Sequence, residues 1–360
     1  MTTVFITNIP APYRERLHEL VGLSVDNYRV IYCASIEQNR DWEFTLGDYQ
    51  HQFLRSRTLV WKGRTIYLDS NVIAVLNDLK PSVVINGGFS LPGIQSFFWA
   101  KWHGKKFVSF SDATTDSEQD LTFAHRLVRK MIYGFSDAFI GASQKTLLLF
   151  KSYGATSKNS FQSCLCIDNS RFSACHKPQV ERDYDIMLSG QFSARKMINF
   201  SAEVILEIHR RNPGIKILLI GDGPDRAYMV EKLSTNKVDF HYAGFVTQDA
   251  LPEYYGNAKL LFFPSLNDPW GVVANEACAA GTPIMTVSGV GAANELVIHN
   301  ENGLVLPLNA ETWTKEALGI LDDQLRWERM STSASESVQR YNYTSASNGF
   351  IDAAHSVESS

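Results

Sequence analysis

Cysteine, long apolar runs and excess charge are all scarce in this sequence, and each shortage removes a class of protein. Five cysteines occur in 360 residues. Two of them stand as Cys164-Leu165-Cys166, a spacing that fits neither a zinc site nor a redox pair. Free thiols in a reducing cytoplasm are therefore expected. No segment approaches the roughly eighteen consecutive apolar residues of a membrane span. The first residues, MTTVFITNIPAPYRERL, lack the basic and then long apolar pattern of a signal peptide, so none is expected. A net charge of −4 gives no general reason to expect a nucleic-acid partner, although it leaves local basic patches open.

What the chain does have is a globular balance, 44% hydrophobic and 20% charged, in a length that favours two domains. Short apolar runs alternate with longer amphipathic ones. Strands are expected at 4–7, 28–34, 82–87, 106–111 and 138–143, then at 184–190, 216–222, 238–244, 259–265 and 283–288. Helix-like stretches lie between them, such as FSAEVILEIHRRN (200–212), stopped by Pro213-Gly214. This alternation implies parallel sheets covered on both faces by helices. An irregular polar stretch, 167–183, separates about five strands on each side. The expectation is an α/β protein of two doubly wound, Rossmann-like domains, with ligands at the carboxyl ends of the strands.

The stretch PSLNDPWGVVANEACAAGTP (264–283) carries the densest chemistry. Pro264 ends a strand, which places Asp268 in the loop beyond it. Gly271 opens a helix that Gly281 closes and Pro283 forbids from continuing. The N–H groups of Gly271, Val272 and Val273 would be unpaired first-turn donors, a setting that attracts phosphate. Glu276 falls one turn after Val272, on the same side. Two carboxylates there can accept from sugar hydroxyls. The plainer reading, equally open on these residues alone, has Asp268 capping the helix and Glu276 in solvent.

This stretch closely resembles the E-x7-E signature of the retaining glycosyltransferases of family four, with Asp268 in place of the first Glu and Glu276 as the second. The resemblance continues through LSGQFSARKMINF, ILLIGDGPDRAYM, HYAGFVTQDALPEYYGNAKLLFFPS and VSGVGAANELVIHNENGLVLP. In the first half it is looser, through TNIPAPYR, VVINGGFSLP and FIGASQKTLLLFKSYGA. It implies the GT-B fold: an acceptor-side domain over 1–170, a nucleotide-sugar-binding domain over 171–340, a central cleft, and a terminal helix (341–360) returning to the first domain.

The resemblance also distributes roles. Lys196 takes the place of the family lysine, and Arg195 stands in for an arginine that the family often has where this chain has Gln191. Both would neutralise the donor diphosphate, although adjacent Arg-Lys pairs are mostly solvated cations. Gly190 and Gly223 would line the donor site, and the GDGP turn (221–224) suits a tight strand-to-helix connection. Phe245 and Val246 would wall the nucleobase. VGAAN (290–294) would close over the phosphates, or be a loop whose glycines permit positive φ. Tyr254 and Tyr255 read as core.

On the acceptor side, Arg14, Asn86, Gly87 and Asp112 follow strand ends. Asp112 stands near the position of a family histidine, and neither His103 nor His125 fits that position. Together these imply a metal-independent, retaining hexosyltransferase without cofactor. Its donor would be a nucleotide diphosphate sugar and its acceptor a glycan or lipid-linked glycan, in cell-surface polysaccharide biosynthesis. The setting would be cytoplasmic, with no nucleic acid and at most peripheral contact with the inner membrane face. A sugar-nucleotide epimerase on the same scaffold, or a non-catalytic nucleotide-sugar-binding subunit, are the alternatives.

Overall fold

Two fully parallel sheets organise the chain in a computed structural model that describes residues 2–36, 45–61, 64–69, 71–119 and 121–358. The strands of the first half are β1 (Thr3–Thr7), β2 (Tyr28–Tyr32), β3 (His51–Phe53), β4 (Arg57–Trp61), β5 (Arg64–Asp69), β6 (Val83–Asn86), β7 (Lys106–Ser111), β8 (Ala138–Gly141) and β9 (Ser160–Gln162). The first sheet runs β3-β2-β1-β6-β7-β8-β9, while β4 and β5 form a separate antiparallel ribbon. Strands such as β1 (TVFIT) and β6 (VVIN) are buried along almost their whole length, as expected of a parallel sheet covered on both faces.

Five helices connect these strands: α1 (Glu15–Ser24), α2 (Val72–Leu79), α3 (Leu91–Trp102), α4 (Phe123–Gly134) and α5 (Gln144–Ser152). Local chemistry starts several of them. The Ser143 hydroxyl accepts from the Thr146 N–H at 3.1 Å at the head of α5. Val72 and Leu76 of α2, and Phe97, Trp99 and Ala100 of α3, share one buried cluster with Ile132 of α4, so these helices lie on one face of the sheet.

The second half continues with α6 (Asn169–Ser173), α7 (Ile198–Arg211), α8 (Arg226–Thr235), α9 (Leu251–Gly256), α10 (Val273–Ala279), α11 (Ala310–Leu321), α12 (Gln324–Ser337) and α13 (Tyr343–Glu358). Its strands are β10 (Ile186–Ser189), β11 (Lys216–Ile220), β12 (Asp239–Gly244), β13 (Leu261–Phe263), β14 (Ile284–Thr286) and β15 (Gly303–Val305), in the spatial order β12-β11-β10-β13-β14-β15. The chain divides into two compact units, 1–166 with 343–360, and 167–342. The change-overs thus fall at 166/167 and 342/343, against the expected 170/171 and 340/341. Helix α13 belongs to the first unit, where its Phe350 ring lies 5.2 Å from Phe5 and 5.5 Å from Phe110.

Five strands escape the sequence reading, each for a physical reason. The three residues of β3 (HQF) carry no apolar run and are largely exposed. The β4–β5 ribbon leaves Leu59, Val60, Ile66 and Leu68 exposed, so it has no alternating core pattern. The remaining two, β9 and β15, are only three residues long. The expected helix at 200–212 starts two residues earlier and ends at Arg211.

Candidate active site

Chain order reverses in the second sheet between β10 and β13, and at such a switch point the loops at the strand ends diverge and leave room for a ligand. The β10 end leads through Gly190 to the short turn Ala194–Lys196. The β13 end leads through Pro264 and Ser265 to Asp268. Backbone bonds tie the two loops together: the Leu266 N–H donates to the Arg195 carbonyl at 3.0 Å. Beyond Asp268, the Gly291 N–H donates to its carbonyl at 2.8 Å.

These ties bring three charged side chains to one point. Lys196 Nζ donates to Asp268 Oδ2 at 2.6 Å, and an Arg195 guanidinium nitrogen donates to the same oxygen at 3.1 Å. Lys196 also lies 4.5 Å from the centre of the Phe263 ring, at the end of β13. Lys196 and Asp268 are mostly sheltered, and Arg195 is about half exposed. Burial pushes the Asp268 carboxyl up, but the two cations outweigh it and hold Asp268 below the usual range. Burial pulls the Lys196 ammonium down, against the attraction of Asp268.

Glu276 sits in the first turn of α10 and is buried, not solvated. Burial raises its carboxyl to about 7, while a hydrogen bond with Tyr255 and the nearby Lys196 charge oppose the rise. Tyr255 is fully buried, and its hydroxyl also hydrogen-bonds Ser189 Oγ at 2.8 Å, at the end of β10. Tyr255 therefore reads as core in the sequence but supports Glu276 in the fold. Nothing in the segment LPEYYG distinguishes it from its half-buried neighbour Tyr254. Asp268 does not cap α10 either: Val272 is the capping residue, and no side-chain bond closes that end.

Gly271 is a loop residue rather than a helix opener, at φ +87°, where a Cβ would run into the Phe263 ring. Helix α10 begins two residues later, at Val273. Among the described residues nothing accepts from the N–H groups of Gly271, Val272 and Val273. Trp270 is core, its indole N–H donating to Asn275 Oδ1 at 2.7 Å.

The glycines of the β10 and β11 turns pack the two loops together. A Cβ on Gly221 would meet the Gly190 carbonyl, and one on Gly223 the Phe192 carbonyl. In the loop 290–294 the glycine does not serve positive φ, contrary to one of its two sequence readings. Val290, Ala292 and Ala293 are buried, and Gly291 serves a close approach to the Pro269 carbonyl; the positive φ falls on Asn294, at +63°. At the end of β12, Phe245 is exposed and Val246 half-buried.

In the first unit, the Arg14 guanidinium lies 4.5 Å from the centre of the Phe110 ring, and Asp112 is exposed just past β7. Asn86 is buried, its amide donating to the Gly88 carbonyl at 2.6 Å, which holds the turn after β6. A Cβ on Gly87 would press on the Phe5 ring at 3.2 Å. Among the described residues no group of three or more His, Cys, Asp or Glu side chains is placed to hold a metal ion. No described helix is long and apolar enough to cross a membrane.

Comparison with known proteins finds relatives for the second half of the chain and for the fold. Over 132 residues the chain is 35% identical to an uncharacterized glycosyltransferase of Methanocaldococcus jannaschii, spanning 35% of this chain and 33% of that protein. The chain thus spans about a third of the length of this curated relative. Among solved structures, Anabaena HepE in complex with UDP superposes with a TM-score of 0.77 at 14% identity, covering 100% of both chains. WaaG, a glycosyltransferase involved in lipopolysaccharide biosynthesis, superposes with a TM-score of 0.70 at 17% identity, over 97% of this chain and 98% of its own. The fold is GT-B, and residues 175–337, which hold every member of the Asp268 cluster, match the family described as Glycosyl transferases group 1.

Proposed function

We propose that the protein is a glycosyltransferase of family four that transfers a sugar from a nucleotide diphosphate donor with retention at the anomeric carbon. The observation that carries this reading is the convergence of Lys196 and Arg195 on Asp268 at the switch point of the second sheet. Two cations against one paired carboxylate leave positive charge where a diphosphate would lie. HepE, which shares the fold, has been solved with UDP and with UDP-glucose.

In this assignment Lys196 and Arg195 neutralise the charge that builds on the departing diphosphate, assisted by the N–H groups of residues 271–273. Glu276 accepts from the ribose hydroxyls, and Asp268 from hydroxyls of the transferred sugar. Phe245 and Val246 flank the base, and Gly190 and Gly223 let backbone approach the donor. The acceptor attacks on the face that the diphosphate leaves, and the leaving phosphate takes the acceptor proton. The protein then contributes alignment and charge stabilisation without a separate base. The cations fill the role a metal would otherwise serve, so no metal or cofactor is assigned. Acceptor contacts are assigned to the first unit, through Arg14, Asn86, Gly87 and Asp112. The acceptor class is a glycan or lipid-linked glycan of cell-surface polysaccharide biosynthesis, in a cytoplasmic setting.

The test is incubation with UDP- and GDP-linked hexoses and a panel of glycan acceptors, with and without a chelator. Acceptor-dependent release of nucleoside diphosphate, insensitive to the chelator, is expected, with product of unchanged anomeric configuration by NMR. Isomerised donor, or donor binding with no turnover on any acceptor, would replace the transferase reading by an epimerase or a binding subunit.

A further inference from the structure

Arg182 belongs to the irregular polar stretch 167–183, where a solvated cation is the ordinary expectation. The fold buries it instead, at 3% exposure. Burial pulls its guanidinium down to about 9, and no carboxylate among the described residues opposes that pull. A buried cation without a counter-ion is costly unless its donors find acceptors. Here they do. Nε donates to the Lys177 carbonyl at 2.8 Å, and one terminal nitrogen donates to the Ala258 carbonyl and to Thr282 Oγ1, both at 2.7 Å. The other terminal nitrogen donates to the Ala280 and Gly281 carbonyls at 2.8 and 3.3 Å. The guanidinium also lies over the Trp327 ring, 4.7 Å from its centre.

The acceptors are the ends of two helices. Ala280 and Gly281 follow the last residue of α10, and Ala258 follows α9, whose Tyr255 carbonyl lies 3.5 Å from the same terminal nitrogen. The last carbonyls of a helix have no partner within it and carry partial negative charge, so one planar fork of donors can hold two such ends. Thr282 completes the joint, its hydroxyl donating to the Tyr255 carbonyl at 2.9 Å while accepting from Arg182. These helices carry the two members of one pair: Tyr255 stands in α9 and Glu276 in α10, and their side chains are hydrogen-bonded. The path from the guanidinium to Glu276 is short. Helix α10 has seven residues, and the N–H of Ala280 donates to the Glu276 carbonyl at 3.1 Å.

From this geometry we propose that Arg182 is a positioning residue: by fastening the ends of α9 and α10 together it sets the Glu276 carboxylate, against Tyr255, where the donor ribose is received. The role rests on the donor reading of Glu276, whereas the joint itself does not. Stability alone does not call for an arginine here, because an apolar side chain of similar volume would avoid the desolvation of a cation. An apolar side chain could not bond the carbonyls of both helix ends, and that bonding is what holds the Tyr255–Glu276 pair in register. Every residue of the joint lies in the second unit.

The experiment compares Arg182→Met and Arg182→Lys with the wild-type chain in two measurements. The first needs no ligand: the Glu276 carboxyl is titrated by NMR of isotope-labelled glutamate, its signal assigned by its loss in Glu276→Gln. Tyr255 and Lys196 are the titratable groups that act on this carboxyl, and His176 faces the other end of α10, against Gly281. Burial is the largest cause of the rise to about 7, so a loosened joint that admits water should bring the midpoint down toward 4.5 in Arg182→Met, and less far in Arg182→Lys. The second measurement is UDP and GDP affinity by calorimetry. Arg182→Met should weaken the better-bound nucleotide about tenfold, within the range of coupling between residues of one network, and Arg182→Lys should recover part of that loss. In a Glu276→Gln background Arg182→Met should cost less than about twofold. An arginine that only stabilises the fold would lower the melting temperature but leave the titration midpoint in place, with folded-state affinity unchanged or weakened equally in both backgrounds. Either result overturns the proposal. Should Arg182→Met fail to fold, Arg182→Lys is read by the same criteria. A midpoint that falls as expected in a chain that binds neither nucleotide would keep the joint and remove the donor role of Glu276.

Discussion

Lys196→Ala is expected to lower donor turnover by about 10²–10³-fold, the usual cost of removing one preorganised charge-stabilising donor. The geometry explains why the effect should be large and specific. Lys196 is nearly buried against Phe263 and Asp268, so its charge acts in a poorly screened setting where departing negative charge gains most from it. Arg195 is half exposed and farther from Asp268, so it cannot fully replace the ammonium. It does remain 3.1 Å from Asp268, so the carboxylate is not left buried without a partner, and the variant should fold. Nucleoside diphosphate release beside circular dichroism checks both halves. Turnover within tenfold of wild type would remove Lys196 from the mechanism.

The two carboxylates should respond in opposite ways when nucleoside diphosphate affinity is measured by calorimetry. Glu276→Gln keeps the shape but loses charge-assisted acceptors worth about 1.5–3 kcal/mol each, so affinity should fall roughly tenfold to a hundredfold. Wild-type affinity should rise with pH through about 7 as Glu276 ionises, and the variant should lose that dependence. Stability carries the matching sign. The carboxyl is raised from 4.5 to about 7 in the fold, so the native chain binds the extra proton between those values. That stability is present below 4.5 and lost as pH climbs through 7, at a cost of ~3 kcal/mol at most. Ligand-free Glu276→Gln should therefore melt above wild type at alkaline pH, with the gap closing on acidification. Asp268→Asn should keep or tighten nucleoside diphosphate affinity, since it releases the two cations that Asp268 now holds. It should nonetheless lower transfer sharply through the lost contact to the sugar. Equal losses of nucleotide affinity in both variants would end this division of roles.

Much of this site was legible because its parts sit in loops that follow apolar sequence runs, longer than the strands they contain. KILLI and KLLFF mark β11 and β13 by composition alone, and Asp268 follows the second at a distance a loop can span. The two carboxylates and two cations were therefore identifiable as neighbours of strand ends. Their pairing was not. That Lys196 and Arg195 meet on one oxygen of Asp268 depends on the Leu266–Arg195 backbone bond, which joins residues far apart in sequence. Tyr255 stayed hidden for a related reason: a buried tyrosine and a buried tyrosine that holds a carboxylate have the same sequence environment. One reading of 290–294 had its glycine permit positive φ, whereas the fold uses Gly291 to pass close to the Pro269 carbonyl. In the first sheet the short edge strands β3 and β9 left no periodic signal because they have too few residues to show one.

Hydrogen exchange with and without a saturating nucleoside diphosphate tests the central claim most directly, that the β10 and β13 loops of the second unit hold the donor. The N–H groups of Gly271, Val272 and Val273 have no acceptor among the described residues, so they should exchange fast in the free chain. The account predicts slowed exchange there on binding, together with 190–196 and 244–246, and no change across α3 and α4. Bound nucleotide that leaves residues 190–196 and 265–276 unprotected, or protects only the first unit, would contradict it.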